Sequence, residues 1–171
     1  MDPQALRRCD PASDPEDARD RVTGLRGIDN FEAFMKFLAP VGRGPMDEAA
    51  RRGEQVFGEL GCGGCHVLTL RTGPNSHPVF DRQPVPLYSD LLLHDIGTGD
   101  GIEQGAATGD EIRTPALWGL RFRRPLLHDG SAATVEEAIG RHENEAARVR
   151  ERYRALPKGE RRALAAFLGA L

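Results

Sequence analysis

Cys62-Gly63-Gly64-Cys65-His66 constrains this chain more than any other stretch. It is the C-x-x-C-H pattern, in which two thiols can bond a haem and the adjacent imidazole can bind its iron. Two sulfurs at this spacing lie on one helical turn and reach the two vinyl groups of a single porphyrin. The histidine that follows is swung under the metal as its proximal ligand. Gly63 and Gly64 leave no side chain between the backbone and the macrocycle edge. The expected cofactor is therefore one covalent haem c on Cys62 and Cys65, with His66 on the iron.

Two other chemistries use paired cysteines. A structural zinc ion needs a second Cys or His pair at its own short spacing. Here the remaining cysteine is Cys9, and the other histidines form no H-x3-5-H pair. A thioredoxin-like redox pair follows a buried strand in a βαβ unit. The segment before Cys62 reads as a helix instead.

In 171 residues, 39% hydrophobic with 20 Gly and 12 Pro, there is apolar material for one helical domain with many turns. A large cofactor completing the core fits that composition. A net charge of −3 gives no reason to expect nucleic acid or an anionic membrane as partner. No run of 18 apolar residues occurs, so no membrane span is expected. Residues 1–20 are polar, with three prolines and no apolar h-region, so they do not read as a secretory signal. Thioether attachment normally implies maturation outside the cytoplasm. The expectation is a periplasmic or otherwise exported protein, of which this chain is a piece.

Residues 1–28 read as a poorly ordered leader or linker, and 29–171 as the haem domain. Cys9 reads as an unremarkable thiol. Asp29-Asn30 offers an N-cap, and Phe31, Phe34, Met35 and Leu38 recur at helical spacing until Pro40. Asp47 opens a second helix carrying Ala50, Val56, Phe57 and Leu60 into the haem motif, with Gly53 and Phe57 on one face. Ser89 is placed to cap a short helix through Leu91, Leu92, Leu93 and His94. Residues 97–110 read as a Gly-rich, acidic surface loop without the residue order of a calcium loop. Arg113-Thr114-Pro115-Ala116-Leu117-Trp118 can line a haem edge. Thr134-x-x-Glu137 is a capping box. Behind it Val135, Ala138, Ile139, His142, Ala146, Val149, Tyr153 and Leu156 form an apolar stripe that Glu143-Asn144-Glu145 can interrupt. A last helix spans 160–171.

Function turns on the second axial position. A strong ligand there closes the iron and favours electron transfer, whereas an open position admits peroxide. All three methionines precede the haem motif, so a downstream Met ligand is ruled out. The candidates are His77, His94, His128 and His142, with Tyr88, Tyr153 and Lys158 as weaker ones. His142 leads, because an imidazole on an apolar stripe needs a polar partner. A core histidine bonded to a backbone carbonyl is the plainer alternative, and His94 is the second choice as ligand. His128 and Arg113 can each meet a haem propionate. For Arg113 an ordinary surface arginine is the alternative.

Gly53-x-x-x-Phe57 leading into the haem motif resembles the start of a c-type cytochrome domain. Tyr88-Ser-Asp-Leu-Leu-Leu-His-Asp95, Arg113-Thr-Pro-Ala-Leu-Trp-Gly-Leu120, Leu127-His-Asp-Gly130 and Thr134-Val-Glu-Glu-Ala-Ile139 with His142 resemble the C-terminal haem domain of bacterial di-haem oxidoreductases. These are relatives of the di-haem cytochrome c peroxidases. The resemblance covers roughly residues 29–171. It implies that His142 is the distal ligand, where related enzymes carry Met or Tyr, and that the terminal helices cross at Gly53 and Phe167. It also implies two haems per enzyme, often with calcium between the domains. A single C-x-x-C-H departs from that plan, so calcium is expected only with a partner domain.

The expectation is an all-α, cytochrome c-like domain with long loops around one haem, bis-histidine ligated and transferring electrons to a redox partner protein or second haem domain. The alternative is a peroxidase-like oxidoreductase acting with that second domain. A third reading is a metal-free or zinc-binding structural module.

Overall fold

A computed structural model describes Arg8 and residues 14–171. The chain divides into two units, Met1–Pro40 and Val41–Leu171. Cys9 and most of the expected leader's first half lie outside the described residues.

In the first unit a short 3-10 turn, Pro15–Asp17, is capped by the Asp14 carboxylate, which accepts from the Glu16 N–H at 3.1 Å. Helix α1 spans Gly27–Phe37. It begins earlier than the Asp29-Asn30 cap implied, because Asp29 acts from inside the first turn. Its carboxylate accepts the Arg26 N–H at 2.9 Å and the Arg26 guanidinium at 2.8 Å. That satisfies an orphan helix donor and places negative charge at the positive end of the helix. Phe31, Phe34, Met35 and Leu38 are exposed.

The second unit is built on a helix crossing. Helix α2, Glu48–Leu60, starts where the Asp47 carboxylate accepts the Ala50 N–H at 2.8 Å, and ends at Gly61 with φ 94°. Its buried face is Ala50, Gly53, Val56, Phe57 and Leu60, the three- and four-residue steps of an amphipathic helix. Against it lies the C-terminal helix, Lys158–Leu168, burying Ala163, Leu164, Phe167 and Leu168. A β-carbon on Gly53 would fall 1.9 Å from the Ala163 carbonyl oxygen and 2.7 Å from Phe167 Cβ. The crossing at Gly53 and Phe167 therefore occurs as the resemblance implied, and only glycine permits that approach. Phe57, Tyr88 and Phe167 pack edge to face with centroids 5.5–6.0 Å apart. The main chain at Ala170 and Leu171 accepts the Gly44 and Gly119 N–H groups at 2.7 and 2.6 Å, closing the unit.

The all-α expectation is corrected here. Helices predominate, but β1 (Leu70–Arg71) pairs antiparallel with β2 (Pro84–Val85), and β3 (Leu93–His94) with β4 (Ile112–Arg113). The strand β3 replaces the short helix expected after Ser89. Tyr88 and Leu91 adopt left-handed φ values of 57° and 62°, which no helix continues through. The Ser89 hydroxyl is used in a turn instead, accepting the Leu91 N–H at 2.9 Å and donating to the Thr114 carbonyl at 2.7 Å.

Two more α-helices precede the C-terminal one. Helix α3 (Val135–Gly140) is capped by Thr134, whose hydroxyl accepts the Glu137 N–H at 3.1 Å. The stripe does break at 143–145: Asn144 has φ 42°, and a 3-10 turn, Asn144–Ala146, leads into α4 (Ala147–Ala155). The C-terminal helix is thus α5. Among the described residues no helix is long and apolar enough to cross a membrane.

Candidate haem site

The C-x-x-C-H segment follows directly from the end of α2. Gly61 reverses the chain and Cys62–Gly64 forms a 3-10 turn, with the His66 N–H donating to the Cys62 carbonyl at 3.0 Å. Both thiols and the imidazole are thereby held at the end of the most deeply buried helix.

His66 is mostly buried, and its Nδ1 lies 3.1 Å from the Tyr88 carbonyl oxygen. A carbonyl can only accept, so Nδ1 carries the proton and Nε2 presents its lone pair. That tautomer is what a metal-ligating imidazole requires. Burial, reinforced by the nearby His142 ring, lowers the His66 pKa to about 4.

His142 repeats the arrangement. Its Nδ1 donates to the Ala138 carbonyl one turn back at 2.7 Å, and burial lowers its pKa. This backbone bond is the partner expected of a core histidine, and it also leaves Nε2 free. Among the described residues nothing hydrogen-bonds to Nε2 of either ring. Two partly buried imidazoles, both with Nδ1 saturated by a main-chain carbonyl, are a donor set that would suit a haem iron. Leu68 and Leu91 to Leu93 add exposed apolar surface around the motif, suited to a macrocycle.

The thiols are shifted away from the thiolate form. Burial pushes Cys62 up to about 11 and also raises Cys65, where Asp90 and Glu145 add to the effect. An attacking thiol needs the opposite shift. Cys65, Asp90 and His94 do bring a sulfur, a carboxylate oxygen and a ring nitrogen within 4.8 Å of one another. Both His94 nitrogens are already engaged, however: Nε2 with Asp90 at 2.8 Å and Nδ1 with Glu145 at 2.9 Å. Since both acceptors are carboxylates, the ring is an imidazolium, and its pKa is raised by Glu145 and then Asp90. A cationic ring is not a ligand.

These features coincide with a match to the family described as "Di-haem oxidoreductase, putative peroxidase" over residues 18–171. The chain belongs to the di-haem oxidoreductase family. Membership carries a capacity to bind haem. Among solved structures, the chain is similar to hydrazine synthase from Kuenenia stuttgartiensis, at 22% identity and a TM-score of 0.56, over 84% of this chain and 55% of that one. It is also similar to a MauG-like protein associated with microbial copper homeostasis, at 25% identity and a TM-score of 0.45, over 74% of this chain and 47% of that one. The chain thus spans about half the length of these two proteins. No curated protein matches it.

Within this member of the family the other expected site residues are dispersed. Leu117 packs against the core, and its N–H donates to the Leu87 carbonyl at 2.9 Å, next to Tyr88. Trp118 is half-buried, whereas Arg113, Pro115 and His128 are exposed. His77 lies exposed in the loop between β1 and β2. Tyr88 and Tyr153 are core residues. Sequence reasoning missed Asp90, Asp95, Asn144 and Glu145, which bracket His94. Their partners are up to 51 residues apart, and no periodicity signals such pairs.

Proposed function

We propose that this chain is the C-terminal haem domain of a two-haem oxidoreductase of peroxidase type. In this reading Cys62 and Cys65 hold one haem c, with His66 proximal and His142 distal. The observation that carries it is the shared state of the two histidines, each with Nδ1 bonded to a main-chain carbonyl and Nε2 free. Bound there, the haem would supply a one-electron centre that the protein keeps low-spin.

The chain's own residues do the rest. Tyr88 fixes the tautomer and plane of His66 through its carbonyl, and Ala138 does the same for His142. Phe57, with its ring centroid 6.4 Å from that of His66, packs beside the imidazole. Two imidazoles without a thioether favour a lower potential than a His/Met pair. Arg113 and His128 remain candidate propionate partners, and Pro115, Leu117 and Trp118 candidate edge residues. Family membership favours an enzyme acting with a second haem domain over a free-standing carrier. Any calcium would need that partner's residues. Covalent haem attachment is consistent with a periplasmic protein.

The test is expression with a c-type maturation system, followed by haem counting and peroxide assays alone and with a second haem domain. One acid-stable haem per chain, lost when Cys62 and Cys65 are replaced by Ser, is expected. Peroxide turnover should appear only with the second domain. Colourless, folded protein would overturn the proposal, and turnover by the chain alone would reject the closed bis-histidine iron.

A further inference from the structure

Residues 88–97 touch both histidine-bearing segments. At one end the Tyr88 carbonyl holds His66, the Ser89 N–H donates to the Val67 carbonyl at 3.0 Å, and the Asp90 N–H to the Cys65 carbonyl at 2.8 Å. The other end grips the three residues that follow His142. The Ile96 and Asp95 carbonyls accept the Glu143 and Glu145 N–H groups at 2.8 and 3.1 Å. The Asn144 side-chain amide donates to both Asp95 carboxylate oxygens at 2.8 and 2.9 Å. Glu145 accepts from the Asp95 N–H at 3.0 Å and from His94 at 2.9 Å, while the opposite ring nitrogen of His94 bonds Asp90.

On the N-terminal side of His142, Val135, Ala138 and Ile139 pack against the core. The helix, α3, is six residues long with no fully buried residue, and the hydrogen bonds of His142, from Nδ1 to the Ala138 carbonyl and from its N–H to the Ile139 carbonyl at 3.1 Å, are local. The fasteners on 143–145 fix the chain on the other side of His142, and so share in setting where this imidazole sits.

We propose that Asp95–Asn144 and the Asp90–His94–Glu145 bridge form a strap whose closure keeps His142 in place as the second axial ligand, so that these are positioning residues governing access of small ligands to the iron. This rests on the bis-histidine reading above. Because the strap joins the loop that orients His66 to the turn that carries His142, both imidazoles are set by one segment. Glu145 contributes charge-assisted bonds to it, from His94 and from the Asp95 N–H.

Asn144 gives a clean probe. At φ 42° glycine is at no disadvantage, so Asn144→Gly deletes the two bonds to Asp95 while keeping the backbone path. In the haem-loaded chain, Asn144→Gly with Glu145→Ala should raise the high-spin absorbance and tighten cyanide binding roughly tenfold, the worth of one charge-assisted bond. Glu145→Gln, which still accepts hydrogen bonds, should recover part of the loss. His142→Ala serves as the reference for a fully released position. If His142→Ala turns high-spin but the strap variants keep the parent spectrum and cyanide affinity, the strap is refuted and the ligand assignment stands. If His142→Ala itself stays low-spin, the bis-histidine reading fails and the strap with it. Should the double variant not fold, Asn144→Gly alone decides by the same two readouts.

Discussion

His66 and Tyr88 are joined by a 3.1 Å hydrogen bond from the imidazole Nδ1 to the main-chain oxygen, and the Tyr88 side chain is itself buried in the core. Its ring packs on Phe57 and Phe167, and its hydroxyl donates to Glu54 at 3.3 Å. Packing of one residue thus sets both stability and the orientation of the proximal ligand. Tyr88→Phe keeps ring and carbonyl and loses only the Glu54 bond. It should cost about 1 kcal/mol in urea unfolding and leave the haem spectrum unchanged. Tyr88→Ala should cost about 3–5 kcal/mol and disturb the spectrum as well.

Gly53 and Gly58 lie on the same helix and should respond in opposite directions. At Gly53 the added methyl would meet the Ala163 main chain at 1.9 Å, so the helices must separate. Gly53→Ala should destabilise the chain by about 3 kcal/mol. Gly58 is exposed within α2, with nothing within 4 Å of an added β-carbon. Gly58→Ala should stabilise it by about 0.5–1 kcal/mol through helix propensity. Thermal unfolding of the two variants checks both signs.

This contrast also marks what could be read in the sequence. The haem motif, α2 with its Asp47 cap, the Gly53 crossing, the Thr134 cap and the break near Asn144 all follow from local rules of spacing, capping and steric size. The two strand pairs did not. Leu91 to Leu93 carry an apolar run compatible with helix or strand, and the left-handed backbone at Tyr88 and Leu91 decides the matter. Bulky residues at such φ values are set by tertiary contacts, here the Ser89 to Thr114 bond across 25 residues. His94, second choice as ligand from the sequence, is instead bonded to Asp90 four residues back and to Glu145, 51 residues along the chain and beyond any local pattern. The apolar face of α1 was legible as a helix, but its burial was not, since Phe31, Phe34 and Met35 remain exposed.

The imidazolium of His94 gives a pH dependence of definite sign. Hydrogen bonds to Glu145 and then Asp90 raise its pKa in the folded chain. Its stabilising contribution is therefore complete below the unfolded value of about 6.5 and disappears as pH rises through the higher folded value. The difference in unfolding free energy between the parent and His94→Gln should shrink as pH rises above about 6.5 and through the higher folded value. His66, whose pKa is depressed, makes the opposite contribution on the acid side. The charge on His94 adds to that depression, so His94→Gln alters it too, but its effect lies on the acid side, below the range in which His94 loses its proton. A gap that widens with pH would show that His94 is neutral in the folded chain.

Ser89 is completely buried, and its hydroxyl works in both directions, receiving the Leu91 N–H and donating to the Thr114 carbonyl. Replacing it by Ala removes one oxygen but strands two main-chain groups, one of them in a buried residue. An unsatisfied buried group costs about 1–3 kcal/mol, more than the modest net worth of the bond itself. Ser89→Ala should therefore lower stability by about 2–3 kcal/mol, a large effect for the loss of one atom. Ser89→Thr retains the hydroxyl and should cost less, since only a methyl must be accommodated. The turn that Ser89 closes also leads directly into Asp90 and the strand holding His94. Hydrogen exchange at the Leu91 and Leu92 amides should accelerate in Ser89→Ala well before global unfolding, because the turn opens locally. Unchanged exchange there would mean that the Thr114 bond contributes nothing to holding β3 and β4 together.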